Sequence, residues 1–317
     1  MLPLRSYGLV AFFAAACGGS NAPARAPLQA TQTVPVTYSQ KELAPGKRLP
    51  LPLIEVEIRG EKTLAIVDTG AQVSVLAYAF AGGFAEAPPG PPAPIGRDSS
   101  GKTVTLQRLL NVSVIVPGLG TIAIPDTVRT QLPLVFEQLG IGMILSPQAL
   151  ASTQRSVLLD LRGGKFGWVA PGTRPGRGLS VRIDACTYEE SGVRARALLV
   201  ASEVEGIATT LAIDTGASDV SLKRTSKAGA ALEKAHDIGT SRTLGAGGVA
   251  TSGEVKSVAM LVDSTLLKAH VTLTDSSPNS NDEPCKHDGL VGMRFLKSCT
   301  LVISPTGVDA HCDPPSL

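Results

Sequence analysis

The tetrapeptide Asp-Thr-Gly-Ala occurs twice in this chain, as Asp68-Thr69-Gly70-Ala71 and as Asp214-Thr215-Gly216-Ala217, and the residues around the two copies repeat as well. Each copy follows an apolar run, Thr63-Leu64-Ala65-Ile66-Val67 in the first half and Thr209-Thr210-Leu211-Ala212-Ile213 in the second. Each leads into another, Val73-Ser74-Val75-Leu76 and Asp219-Val220-Ser221-Leu222. Further features then recur in the same order. These are a glycine-bearing hairpin candidate (residues 96–103 and 244–249), a Gly-Met pair (Gly142-Met143 and Gly292-Met293), and a closing strand pair around a turn (157–165 and 301–307). Such a series marks a duplicated unit. Within the units the apolar residues alternate, as in Leu53-Ile54-Glu55-Val56-Glu57-Ile58, which is the period of a half-buried strand. Glycine and proline are abundant, at 33 and 23 residues, which favours short strands joined by turns. The fold class is therefore read as all-β with minor helix. Helix is expected only briefly after each Gly-Met pair and near residues 226–236.

A strand that delivers an aspartate, followed two residues later by a glycine, can turn sharply and present the carboxylate at its rim. A single loop of this kind is common. Two at matching places in a duplicated unit would be brought together at its approximate two-fold axis, so Asp68 is predicted to face Asp214. Two carboxylates a few ångströms apart cannot both ionise; they share a proton and titrate as a unit. A half-ionised pair can take a proton from water with one member and hydrogen-bond a substrate carbonyl with the other. Thr69 and Thr215 are placed to brace the loops across the axis, and Gly70 and Gly216 to form the turns. This chemistry requires no cofactor and no metal. There is no Cys-x-x-Cys pair, and His236, His270, His287 and His311 lack ligand spacing.

The remaining segments divide the chain. Arg5 precedes an apolar stretch that is too short to span a bilayer, ending in Ala14-Ala15-Ala16-Cys17. This resembles a bacterial lipobox with Cys17 as the lipidated residue; an ordinary secretory signal cut between Ala22 and Ala26 is the other reading. Residues 1–17 are thus assigned to a signal peptide and 18–46 to a flexible tether rich in Ala, Pro, Thr and Gln. The first lobe is placed at 47–169, a breaker-rich linker at 170–178 and the second lobe at 179–317. With Cys17 set aside, Cys186, Cys285, Cys299 and Cys312 form an even set in an exported chain, and four cysteines allow three connectivities. Cys299 and Cys312 flank the closing hairpin and are paired on that ground, which leaves Cys186 with Cys285. The net charge is +2 with no basic stripe, so a nucleic-acid partner is not expected.

Taken together, the strand, the Asp-Thr-Gly-Ala loop, the glycine hairpin and the closing apolar-apolar-Gly stretch resemble the retropepsin-like aspartic peptidases. The second half, with Asp288-Gly289-Leu290-Val291-Gly292-Met293-Arg294-Phe295-Leu296, is the nearer match. The likeness runs from about Pro50 to Ser304. It implies two acid-protease β-barrel lobes related by a pseudo-two-fold axis within one monomeric chain. It also implies an aspartic endopeptidase with Asp68 and Asp214 as the catalytic pair, Thr69 and Thr215 as cross-bracing hydroxyls, and Gly142 and Gly292 packed behind the two loops. The substrate would be a peptide or protein, and the location the cell envelope, held to the outer membrane by the lipid. Pepsin-like relatives carry a flap tyrosine that neither hairpin candidate has, and Ser or Thr where this chain has Ala71 and Ala217. Loss of that hydroxyl predicts a pH optimum nearer neutral. The alternative is a catalytically idle peptide-binding or structural surface lipoprotein on the same fold.

Overall fold

A computed structural model describes residues 30–38, 42–44, 47–48, 50–88, 95–97, 103–190, 193–245, 248–275 and 285–313. Residues 1–17, assigned above to a signal peptide with Cys17, and residues 98–102 and 246–247 of the two hairpin candidates lie outside them. The fold is mostly β, with 56% strand against 11% helix, in curled sheets that include a half-barrel. Alternation explains the strands. In Pro52–Ile58, Ile54, Val56 and Ile58 are buried while Glu55 is exposed. Thr265–Thr274 alternates in the same way over ten residues. A register slip of one residue would send the glutamates of the first strand into the core.

Two sheets carry most of the chain, one of ten strands and one of thirteen. The same local pattern occurs in each half. The strand before the first Asp-Thr-Gly, Glu61–Val67, pairs in parallel with Ile141–Leu145, which pairs antiparallel with the strand after it, Val75–Ala77. In the second half Ile207–Ile213 pairs in parallel with Gly289–Val291, which pairs antiparallel with Val220–Lys223. The closing hairpins form as expected, Ser156–Asp160 with Lys165–Val169 and Cys299–Ile303 with Val308–Cys312. They join edge to edge, with Leu158 opposite Val302, so the thirteen-stranded sheet runs through both halves. Residues 170–178 carry no strand between them.

The tether assignment is corrected at its C-terminal end. Ala30–Pro35 is a strand, paired antiparallel with Lys165–Val169. Val34 and Val36 are buried, and the Tyr38 hydroxyl donates to the Leu161 carbonyl at 2.5 Å. Threonine, glutamine and proline dominate this stretch, and only every second position faces the core, so its composition resembles that of a linker. The helices are short. Lys227–Ala235 starts where expected, with the Ser226 hydroxyl accepting the Gly229 N–H at 3.0 Å as its N-cap. Met293–Leu296 follows the second Gly-Met pair, but Gly142 and Met143 lie inside a strand and the helix there begins only at Pro147. Among the described residues no helix is long and apolar enough to cross a membrane. Disulfides join Cys186 to Cys285 and Cys299 to Cys312, the pairing expected from the sequence.

Candidate active site

Both aspartates sit where a parallel strand pair ends. The Asp68 N–H donates to the Leu145 carbonyl at 2.9 Å, and the Asp214 N–H to the Val291 carbonyl at 3.0 Å. These bonds fix where each loop leaves its sheet. The loops then meet. The Thr69 hydroxyl donates to the Ile213 carbonyl at 3.0 Å and accepts the Thr215 N–H at 3.1 Å. Reciprocally, the Thr215 hydroxyl donates to the Val67 carbonyl at 2.6 Å and accepts the Thr69 N–H at 3.0 Å. Both threonines are buried. Each hydroxyl therefore satisfies two main-chain groups that have no access to water, and removing it strands both.

The bracing brings the carboxyl groups into hydrogen-bonding contact. The Gly216 N–H points at both, at 2.8 Å from Asp214 Oδ1 and 3.2 Å from Asp68 Oδ1, while the Gly70 N–H holds Asp68 Oδ1 at 2.8 Å. The turns must be glycine. A Cβ on Gly70 would fall 2.3 Å from Asp214 Cγ, and one on Gly216 would fall 2.6 Å from Asp68 Oδ2.

Burial raises the pKa of both carboxyls. Asp214, 6% exposed, is pushed well above the usual carboxylate range by that burial and then by the charge of Asp68. Asp68 is raised by burial but relieved by the hydrogen bond from Asp214 and by the N–H groups of Gly70, Ala71 and Gly216. The pair therefore shares a proton and titrates as a unit, with Asp214 raised the further of the two.

Gly292 lies close behind the second loop, where a Cβ would come 2.6 Å from the Ala217 carbonyl oxygen. Gly142 does not play that part in the first half; a Cβ there would meet the Phe80 ring and the Thr63 hydroxyl. The two aspartates are 146 residues apart, and so are Leu145 and Val291, which hold their N–H groups. The counterpart of Gly292 at that spacing is Ser146. Matching the Gly-Met pairs uses an offset of 150 and displaces the correspondence by four residues.

Two contacts on the first loop carried no signal in the motifs. Gln148 is buried beneath it, with Nε2 at 3.0 Å from the Thr69 carbonyl and 2.7 Å from that of Ala71. Tyr188, on the long strand Leu179–Glu190 of the second half, donates its hydroxyl to Gln72 Oε1. Counting 146 residues from Arg294 would have found Gln148; nothing local would have found Tyr188. Neither a protein-family model nor a curated protein matches the chain.

Proposed function

We propose that this chain is an aspartic endopeptidase of retropepsin-like type. Its two Asp-Thr-Gly units would be acid-protease lobes, at 47–169 with the added N-terminal strand and at 179–317, related by an approximate two-fold axis. The observation that carries the reading is the mutual bracing of Thr69 and Thr215, which holds the buried Asp214 carboxyl and the half-buried Asp68 carboxyl in contact. A fold needing only turns at these places gains nothing from two acids held in contact away from bulk water, because desolvation makes them costly to ionise. A dyad that takes a proton from water requires such a pair.

In this reading a water held between the carboxyls gives a proton to Asp68 as its oxygen attacks the peptide carbonyl. Asp214, protonated at the start, donates a hydrogen bond to the carbonyl oxygen as charge develops there. The tetrahedral intermediate collapses when Asp68 passes the proton taken from water to the nitrogen, breaking the C–N bond, re-forming the carbonyl and restoring the half-ionised pair. No enzyme-bound covalent intermediate forms.

Export and a lipid anchor at Cys17 complete the proposal, placing the protein in a bacterial envelope as a monomer acting on peptides or proteins. Two disulfides favour an oxidising compartment. The decisive experiment is digestion of a peptide library by wild type and by Asp68→Asn. Cleavage by wild type alone is expected. Equal cleavage by both removes the dyad mechanism, and cleavage by neither favours a peptide-binding lipoprotein.

A further inference from the structure

Seen from behind, the two Asp-Thr-Gly loops are held by different atoms. In the second half the backing chain does the work itself. The Met293 N–H donates to the Ala217 carbonyl at 2.8 Å and the Arg294 N–H to the Ser218 carbonyl at 2.9 Å. Gly292 permits this approach, since a Cβ there would come within 2.5 Å of the Asp219 carbonyl oxygen. The Arg294 side chain turns outward to Asp219, at 3.0 Å.

At the same spacing the first half has Ser146, Pro147 and Gln148. Ser146 carries the Cβ that the close approach excludes. Pro147 has no N–H, so the donor that Met293 supplies to Ala217 is missing for Ala71. The Ala71 carbonyl is satisfied instead by Gln148 Nε2 at 2.7 Å, and the same nitrogen reaches Thr69 O at 3.0 Å and Arg196 O at 3.3 Å. Gln148 is 1% exposed, and its Oε1 has no hydrogen-bond partner among the described residues. Leaving that oxygen unpaired is unfavourable. The orientation holds because both amide hydrogens are needed on the carbonyl side. From the second half, the Arg196 guanidinium donates to the Gln148 carbonyl at 3.4 Å and the Ser304 carbonyl at 3.1 Å, fastening the residue that makes the clamp.

We infer that Gln148 is a positioning residue for Asp68: its carboxamide replaces the main-chain donor lost at Pro147 and sets the height of the first loop against the second. The inference rests on the dyad reading for its effect on rate, but the clamp itself can be read without catalysis. Thr69 and Ala71 flank the turn whose N–H groups orient the Asp68 carboxylate, so slack at their carbonyls moves the carboxylate. Misplacement by about 1 Å costs on the order of 10²-fold in rate.

The test compares wild type, Gln148→Met, Gln148→Glu, and the triple variant Ser146→Gly/Pro147→Met/Gln148→Met, which gives the first half the Gly-Met backing of the second. Hydrogen exchange of residues 67–72 is followed beside that of 213–218, with kcat, KM and a pH profile on a cleaved peptide. Gln148→Met should speed exchange of the first segment about tenfold, leave the second unchanged, and lower kcat about 10²-fold with KM nearly constant. The triple variant should recover both. In Gln148→Glu the new carboxyl faces carbonyl oxygens and can donate only while protonated. Its activity should therefore persist in acid and fall at a lower pH than that of wild type. Unchanged exchange in 67–72, equal acceleration of both segments, or a Gln148→Glu profile parallel to wild type would overturn the inference. A wild type that cleaves nothing defeats the hydrolytic reading, and the exchange comparison then decides the clamp alone.

Discussion

The second Asp-Thr-Gly loop rests on backbone N–H groups of Met293 and Arg294, whereas the first rests on the side chain of Gln148. On the carboxyl side the difference disappears. Thr69 and Thr215 exchange equivalent bonds, and Gly70 and Gly216 each leave room for the opposite aspartate. A duplicated unit whose two copies meet must keep its meeting surface matched, because each side is the other's partner. The backing does not meet its own counterpart, Gln148 touching Arg196 of the second half instead, and can change, provided that every buried carbonyl still finds a donor.

The largest expected effect probes the matched surface. Asp68→Asn and Asp214→Asn should each lower kcat/KM by about 10²–10⁴-fold, the range for loss of a general acid or base. Steady-state kinetics on one peptide would show it, and a loss confined to one variant would break the equivalence. The covalent bracing of the halves is less even, since both disulfides involve second-half residues only. The Cys186–Cys285 link spans 99 residues and Cys299–Cys312 spans 13. On chain-entropy grounds their removal should cost about 4.7 and about 3 kcal/mol. Denaturant titration of the two double-alanine variants would rank them, and the reverse order would sink the entropic account. Thr69→Val and Thr215→Val should each cost about 2–3 kcal/mol by stranding buried main-chain partners. Equal losses in the same titration support matched bracing, and a loss from only one refutes it.

The smallest effects concern protons. Both carboxyls have folded pKa values raised above those of the unfolded chain, Asp214 the more so. Stability from such groups is complete below the unfolded carboxylate pKa and is lost as pH rises through the folded value. Wild type should therefore lose melting temperature relative to Asp214→Asn on going from mildly acidic to alkaline buffer. A constant difference between the two across that range would remove the burial argument. A serine at Ala71 can donate to Asp68, the ionised partner in the proposed mechanism, so Ala71→Ser should move the acid limb of the pH–rate profile downward by up to roughly one unit. Ala217→Ser, beside the protonated partner, should move it less. The opposite ranking would exchange the roles of the two acids.

Residue order alone carried the strand content, the duplication, the two aspartates with their threonines and glycines, and the cysteine pairing. These follow from local periodicity, from short motifs at matching positions, and from two cysteines flanking one hairpin. Three features needed the folded chain. Ala30–Pro35 is a strand because the edge Lys165–Val169 is there to pair with it, and a partner 130 residues away (Lys165 opposite Pro35, 165 less 35) leaves no trace in local composition. Gln148, not a glycine, supports the first loop, because whether a backbone N–H can reach a carbonyl depends on how closely two segments approach. Tyr188 touches Gln72 because a long strand of the second half extends to the first. Periodicity reports which face of an element is buried, but distance between elements remote in sequence is settled only when the sheets close.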